Sequence, residues 1–153
     1  MDTVDKKILS LLQEDATLSI ESIATKVNLS STPCWKRIRR LENDGVIKKR
    51  VALLDAEKVG VGVTVFVAIK TNQHNGKWLE DFARSIEDMP EILDFYRMSG
   101  EIDYLLRVVV ENISKFDTFY QRLINRVPLS DVTSSFAMEQ IKHTTALPID
   151  FPT

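Results

Sequence analysis

The sequence predicts an α+β protein in two parts: an N-terminal (winged) helix-turn-helix domain over residues 1–60 and a C-terminal ferredoxin-like βαββαβ domain over residues 61–153. Three observations carry this. Apolar residues recur at helical spacing in three short runs up to Gly45, and the third run is strongly basic. Strict alternation of side chains begins at Val61. Charge divides at the same point: residues 1–60 hold 11 basic and 9 acidic side chains, whereas residues 61–153 hold 9 and 13.

Val4, Ile8, Leu11 and Leu12 follow i, i+4, i+7, i+8, which predicts an amphipathic helix over residues 3–14. Ser19 is placed to cap a second helix carrying Ile20, Ile23, Ala24 and Val27 on one face. Asn28-Leu29-Ser30 then makes a short turn with Leu29 as an apolar plug. Ser30 or Ser31 can cap the third helix, with Pro33 in its first turn, where a missing N–H costs little. Cys34, Ile38 and Leu41 form its apolar stripe, and Gly45 can take the left-handed conformation that ends helices. Each helix is too short to stand alone, so the three apolar faces must bury one another.

Val46 to Leu53 reads as an extended segment, a wing or connecting strand, and Leu54 to Gly60 as a hinge with one helical turn. Val61, Val63, Val65, Val67 and Ile69 alternate as a strand. Its other face (Gly62, Thr64, Phe66, Ala68) is also largely apolar, so both faces need cover: helices on one side and a second sheet, from another subunit, on the other. Trp78, Leu79, Phe82, Ala83 and Ile86 mark a helix ended by Met89-Pro90. Strands follow at Ile92 to Met98 and Tyr104 to Val110, joined by a tight turn over Ser99-Gly100-Glu101-Ile102-Asp103. Ser114-Lys115-Phe116-Asp117 is a capping-box pattern ahead of a helical stripe of Ile113, Phe116, Phe119, Tyr120, Leu123 and Val127. Asp131 to Ile141 is the last strand. Residues 143–153 read as a tail broken by Pro148 and Pro152.

Composition excludes several classes. An apolar content of 44% and a charged content of 27% are globular values. No run of about 18 apolar residues exists, so no membrane span is expected. The N-terminus lacks an apolar signal core and the single cysteine cannot form an internal disulfide, which predicts a cytoplasmic protein. Net charge is only −2, but residues 30–50 hold seven basic side chains against two acidic. A short helix with a buried stripe and a cationic outer face is the shape that enters a DNA major groove. An isolated basic helix more often just faces water; the helix and turn in front of this one favour the groove. The candidate DNA contacts are Ser31, Thr32, Pro33, Trp35, Lys36, Arg37, Arg39 and Arg40, with Lys48 and Arg50 on flanking phosphates. Thr32, Trp35, Lys36 and Arg39 are expected at base edges or nearby backbone, while Arg37 and Arg40 lean toward the apolar stripe.

Leu29 to Glu42 followed by Gly45-Val46-Ile47 resembles the DNA-binding half of the leucine-responsive/asparagine regulator (Lrp/AsnC, feast/famine) family. Ser99-Gly100-Glu101-Ile102-Asp103-Tyr104 resembles that family's Gly-x-x-Asp-Tyr loop, and Ser134-Ser135-Phe136 with Glu139 to Lys142 resembles its final strand. The match runs from residue 2 to about 148 in order. Within the family the chain looks most like the cysteine-responsive detoxification regulators. The resemblance implies a transcription regulator that binds double-stranded DNA at a palindromic operator as a dimer or octamer. It also implies a small amino acid as effector, with cysteine, leucine and methionine as candidates. Two departures stand out. No glycine follows Pro128, which leaves the shape of that loop open. Trp35 stands where a smaller aliphatic residue is common, which leaves base contacts there open.

For the effector, the glycine turn offers backbone N–H groups to a carboxylate. Asp103 or Glu101 could answer the α-ammonium, and Ser134 and Ser135 could add hydroxyls; Ser99, Gly100 and Tyr104 complete the candidate set. The alternative is an ordinary polar hairpin. Cys34 on the buried stripe reads as a packed thiol. His74 and His143 have no partners at metal spacing, so no metal or other cofactor is expected. Ser134, Ser135 and His143 lack a nucleophile elbow, and no convergent acid–base set exists, so the chain does not read as an enzyme. The rival reading is an effector-independent, nucleoid-like architectural DNA-binding protein.

Overall fold

The computed structural model describes residues 1–73 and 75–149; His74, read from sequence as having no partners at metal spacing, and the end of the tail lie outside them. The chain divides into two compact units, Met1–Ala52 with the segment from Ile141 onward, and Leu53–Gln140. The division thus falls some residues before the boundary drawn from sequence near residue 60. The segment from Ile141 groups with the helices rather than with the second domain. A two-way hydrogen bond of Gln13 holds it there: Leu147 N–H donates to Gln13 Oε1 at 2.6 Å, and Gln13 Nε2 donates to Leu147 O at 3.1 Å.

The first unit contains α1 (Thr3–Glu14), α2 (Ile20–Lys26) and α3 (Ser31–Asn43). Ile8, Ile23, Ala24, Cys34, Ile38 and Leu41 form its core, at 2% exposure or less. Ser19 caps α2 as expected, accepting from Ser22 N–H at 3.1 Å. Asn28 takes a positive φ of 57° in the turn, and Leu29 packs on the core. Ser30 occupies the cap position of α3, but its side chain accepts no capping bond. Gly45 ends α3 at φ +71°, and a Cβ there would meet nothing within 4 Å. Gly45→Ala therefore carries a backbone cost only, about 1–2 kcal/mol, and Gly45→Asn less, because asparagine tolerates this region. Urea titration of the two variants checks the order.

The expected strand over Val46 to Leu53 does not form: no strand occurs among residues 46–62. A strand needs a partner ladder, and the chain offers none here, leaving Val51, Leu53 and Leu54 exposed. The single helical turn in the hinge is present, closed by Val59 N–H on Asp55 O at 3.1 Å and Val61 N–H on Ala56 O at 2.8 Å.

The second unit contains β1 (Val63–Lys70), α4 (Gly76–Ser85), β2 (Ile92–Arg97), β3 (Tyr104–Val110), α5 (Ile113–Arg126) and β4 (Asp131–Phe136). All pairs are antiparallel in the order β2-β3-β1-β4, which is the predicted βαββαβ arrangement. Val65, Val67 and Ile69 of β1 and Leu106 and Val108 of β3 are fully buried under Phe82 and Phe119 of the helices. Phe66, Ala68, Leu105 and Val109 project on the opposite face, and Phe66 is 39% exposed. Arg107 Nε bonds Asp94 Oδ2 there at 2.5 Å.

Two expectations are corrected. The last strand stops at Phe136, not Ile141, because its partner β1 begins at Val63 and the ladder ends with Ala137 N–H on Thr64 O at 2.9 Å. Glu139 to Lys142 therefore lie outside the sheet. The cap of α5 is Asn112, whose Oδ1 accepts from Lys115 N–H at 3.0 Å. Ser114 already lies inside the helix, and Ile113 is exposed rather than part of the stripe.

Candidate nucleic-acid interface and ligand loop

In α3 the buried stripe turns Thr32, Lys36, Arg39 and Asn43 to the opposite side, given about 100° per residue. All four are exposed. Ser31 and Pro33 are exposed in the first turn, and Trp35 is 50% exposed on the flank. Lys48 and Arg50 are exposed just beyond the helix. Arg39 Nη1 lies 3.0 Å from Glu42 Oε2, and Arg50 Nη2 lies 3.1 Å from Glu42 Oε1. Both pairs sit at the surface, where such contacts hold side chains loosely.

Arg37 and Arg40 differ from the rest. Arg37 Nη1 reaches Asp2 Oδ2 at 2.7 Å and Asp5 Oδ1 at 2.8 Å, and Arg40 Nη2 reaches Asp5 Oδ2 at 2.6 Å. Their lean toward the stripe is thus a commitment to the start of α1. Asp2 and Asp5 form a reciprocal capping box, each side chain accepting the other's N–H. Sequence reasoning passed over both carboxylates, although Asp2-x-x-Asp5 ahead of an apolar run is itself a capping signal.

The electrostatics follow from this geometry. The Asp5 N–H, then the Arg37 guanidinium, hold the Asp2 carboxyl at about 2. Burial pushes Asp5 up, but the Asp2 N–H and Arg37 outweigh it and leave it below the usual carboxylate range. Both folded-state values are depressed. Their contribution to stability is therefore present above the ordinary carboxylate value near 3.8 and is lost as pH falls toward about 2. Asp2→Asn should remove part of the acid sensitivity of the helical unit, read as a flatter melting temperature between pH 4 and about 2 by circular dichroism.

In the second unit, Gly100 takes φ +117° in the turn between β2 and β3. Met98 N–H donates to Asp103 O at 2.8 Å and Asp103 N–H to Ile69 O at 2.9 Å, and Asp103 Oδ2 accepts from Thr71 N–H at 2.8 Å. Asp103 thus pins the hairpin to the end of β1. Glu101 is exposed beside Lys70 Nζ at 3.2 Å, and Ser99 and Gly100 are exposed. Tyr104 is buried against Trp78, Phe95 and Phe82, with ring centroids 5.4, 5.6 and 5.9 Å away. A cavity of about 120 Å³ opens beside it, lined by Asp103 and Tyr104 together with Asn75, Gly76, Arg97 and Met98. Asn75, Gly76, Arg97 and Met98 were not singled out from sequence; only the fold brings the start of α4 beside the end of β2. Ser134 and Ser135 do not join this group. Ser134 pairs with Val67 on the helix-covered face, and Ser135 pairs with Phe66 on the bare face.

The profile described as winged helix-turn-helix DNA-binding matches residues 1–48, and the profile described as Lrp/AsnC ligand binding domain matches residues 64–147. The chain belongs to the Lrp/AsnC family. This Lrp/AsnC chain is a DNA-binding transcription regulator with a ligand-binding domain behind its helix-turn-helix. It is 57% identical over 151 residues to the DNA-binding transcriptional activator DecR of Escherichia coli K12, covering 98% of this chain and 99% of that one. Its structure matches an AsnC family transcriptional regulator from Agrobacterium tumefaciens with a TM-score of 0.94 and 56% identity, over 98% of both chains. It also matches a transcriptional regulator from Neisseria meningitidis, solved as an L-Met complex, with a TM-score of 0.92 and 35% identity, over 98% of this chain and 97% of that one. No helix among the described residues of the Lrp/AsnC chain is long and apolar enough to cross a membrane.

Proposed function

We propose that this chain is a cytoplasmic regulator that reads a palindromic operator through α3 and changes its DNA affinity or assembly when a small amino acid fills the cavity beside Tyr104. The observation that carries the reading is that cavity. Arg97, with no ion-pair partner among the described residues, and the first amides of α4 at Gly76 are suited to a carboxylate. Asp103 lines the other side and suits an ammonium. The cavity opens to the surface of this chain between the start of α4 and the end of β2. A second copy of the chain would complete it. The bare face of the sheet, with Phe66, Ala68, Leu105 and Val109, supports subunit pairing, as a dimer or as an octamer of four dimers. Of the sequence candidates, Asp103 and Tyr104 line the proposed site, Ser99, Gly100 and Glu101 belong to the turn beside it, and Ser134 and Ser135 lie on β4, outside the lining supplied by this copy.

Titration calorimetry against all twenty amino acids, paired with fluorescence anisotropy on an operator fragment, tests this. One amino acid is expected to bind and to shift DNA affinity at least fivefold, the lower end of ordinary coupling. Silence from all twenty, with DNA binding intact, would remove the sensor role and favour the architectural reading.

A further inference from the structure

We propose that Asp5 is a positioning residue for DNA binding: from the start of α1 it fixes Arg37 as a brace and turns the open edge of Arg40 toward the DNA backbone. The inference rests on the reading that α3 faces DNA. Asp5 is 1% exposed. A carboxylate that deep persists only when paired and hydrogen-bonded, and its partners are the Asp2 N–H at 3.0 Å, Arg37 and Arg40.

The two arginines are not equivalent. Arg37 is held twice, by Asp2 and Asp5, and its side chain is 28% exposed. Arg40 is held once, through Nη2, and stays 52% exposed. A guanidinium has five N–H donors in a rigid fork, so Arg40 keeps an outward edge while one corner rests on Asp5. Lys36 precedes it by four residues and stands on the same side of the helix. An arginine that is already fixed gives up less rotamer freedom when it meets phosphate; an immobilised long side chain otherwise costs about two- to tenfold in affinity.

Charge alone predicts the opposite sign. Removing an acid beside a cationic surface strengthens binding to any DNA sequence. The positioning role predicts weaker binding when Asp5 is lost, in spite of the added net positive charge.

The test uses the full-length protein, an operator selected from a random-sequence DNA pool, and mixed-sequence duplex as control, read by fluorescence anisotropy from 50 to 200 mM salt. Asp5→Asn is expected to weaken operator binding about three- to tenfold per half-site, while binding to mixed-sequence duplex is unchanged or tighter. Asp5→Asn added to Arg40→Ala should change operator affinity little further. Arg40→Ala should lower the salt slope by about one. Arg40→Lys keeps the charge without the fork and leaves the buried Asp5 carboxylate with Arg37 and the Asp2 N–H as partners, so it covers a failure of Asp5→Asn to fold; it should lose nearly as much as Arg40→Ala. Wild-type operator affinity in Asp5→Asn or in Arg40→Lys, or losses that simply multiply in the double variant, would overturn the proposal. Arg39→Ala in parallel separates the two readings: if it too leaves binding unchanged, the placement of α3 fails rather than the role of Asp5.

Discussion

Phe82→Ala should destabilise the second unit by about 3–5 kcal/mol, the cost of emptying a large ring site that cannot collapse. Phe82 is 1% exposed and lies in the middle of the aromatic cluster, with ring centroids 5.1 Å from Trp78, 5.0 Å from Phe95 and 5.9 Å from Tyr104. Two of those partners stand on neighbouring strands held in register by backbone hydrogen bonds: Phe95 faces Leu106, and Tyr104 faces both Arg97 and Ile69. The sheet cannot shift to fill the void without breaking that register. A loss of this size is about a fifth or more of the stability of an ordinary domain. It should appear in urea titration as a lower midpoint with an unchanged slope. Ala83→Ser, on the exposed side of the same helix, should stay within about 0.5 kcal/mol. A Phe82→Ala loss below about 1 kcal/mol would mean that α4 is not held as described. The functional consequence is local. Tyr104 follows Asp103 directly, so loosening the cluster loosens the wall of the proposed amino-acid cavity, and ligand affinity should fall before the fold is lost.

The elements governed by local chemistry were legible before any coordinates. Periodicity alone placed α1 at residues 3–14, the alternation of valines placed β1, and the element order predicted the sheet and its two covering helices. Where legibility failed, a partner distant in sequence decided the outcome. The residues after Phe136 continue an extended-looking pattern, yet β1 has no backbone left to pair with them. Val46 to Leu53 has strand composition but finds no strand to pair with among the described residues. Ser134 and Ser135 are adjacent in sequence, and the period of two sends them to opposite faces of the sheet, so they do not act as a pair on one face. The basic run in α3 holds four cations, Lys36, Arg37, Arg39 and Arg40, and spacing alone leaned Arg37 and Arg40 toward the apolar stripe without naming a partner for either. The fold shows that two of them face carboxylates more than 30 residues earlier in the chain. No local rule couples residue 5 to residue 40. Asp5 looked like one more polar residue in the first turn of a helix.

That sorting raises the weight on Arg39. Its guanidinium stands on the side of α3 opposite Cys34 and Ile38, its side chain is 56% exposed, and its ion pair among the described residues is the surface contact with Glu42. Such a contact is worth about 0–1 kcal/mol, too little to keep the fork from a guanine edge. Arg39→Ala should therefore cost about 1–3 kcal/mol per half-site, and about twice that on a two-fold operator bound by a symmetric pair of subunits. The signature of base reading is uneven loss: discrimination should relax at one base pair of each half-site and remain at the others. Lys48→Ala supplies the contrast, lowering affinity evenly across sequences and reducing the salt slope by about one, as a phosphate contact does. Glu42→Ala supplies the opposite sign, since it releases both Arg39 and Arg50 and should tighten binding to mixed-sequence DNA. Anisotropy titrations of the operator and its single-base variants separate the three. An Arg39→Ala protein that binds every fragment as the wild type does would place base reading elsewhere on the helix, with Thr32, Trp35 and Lys36 as the exposed side chains left to carry it.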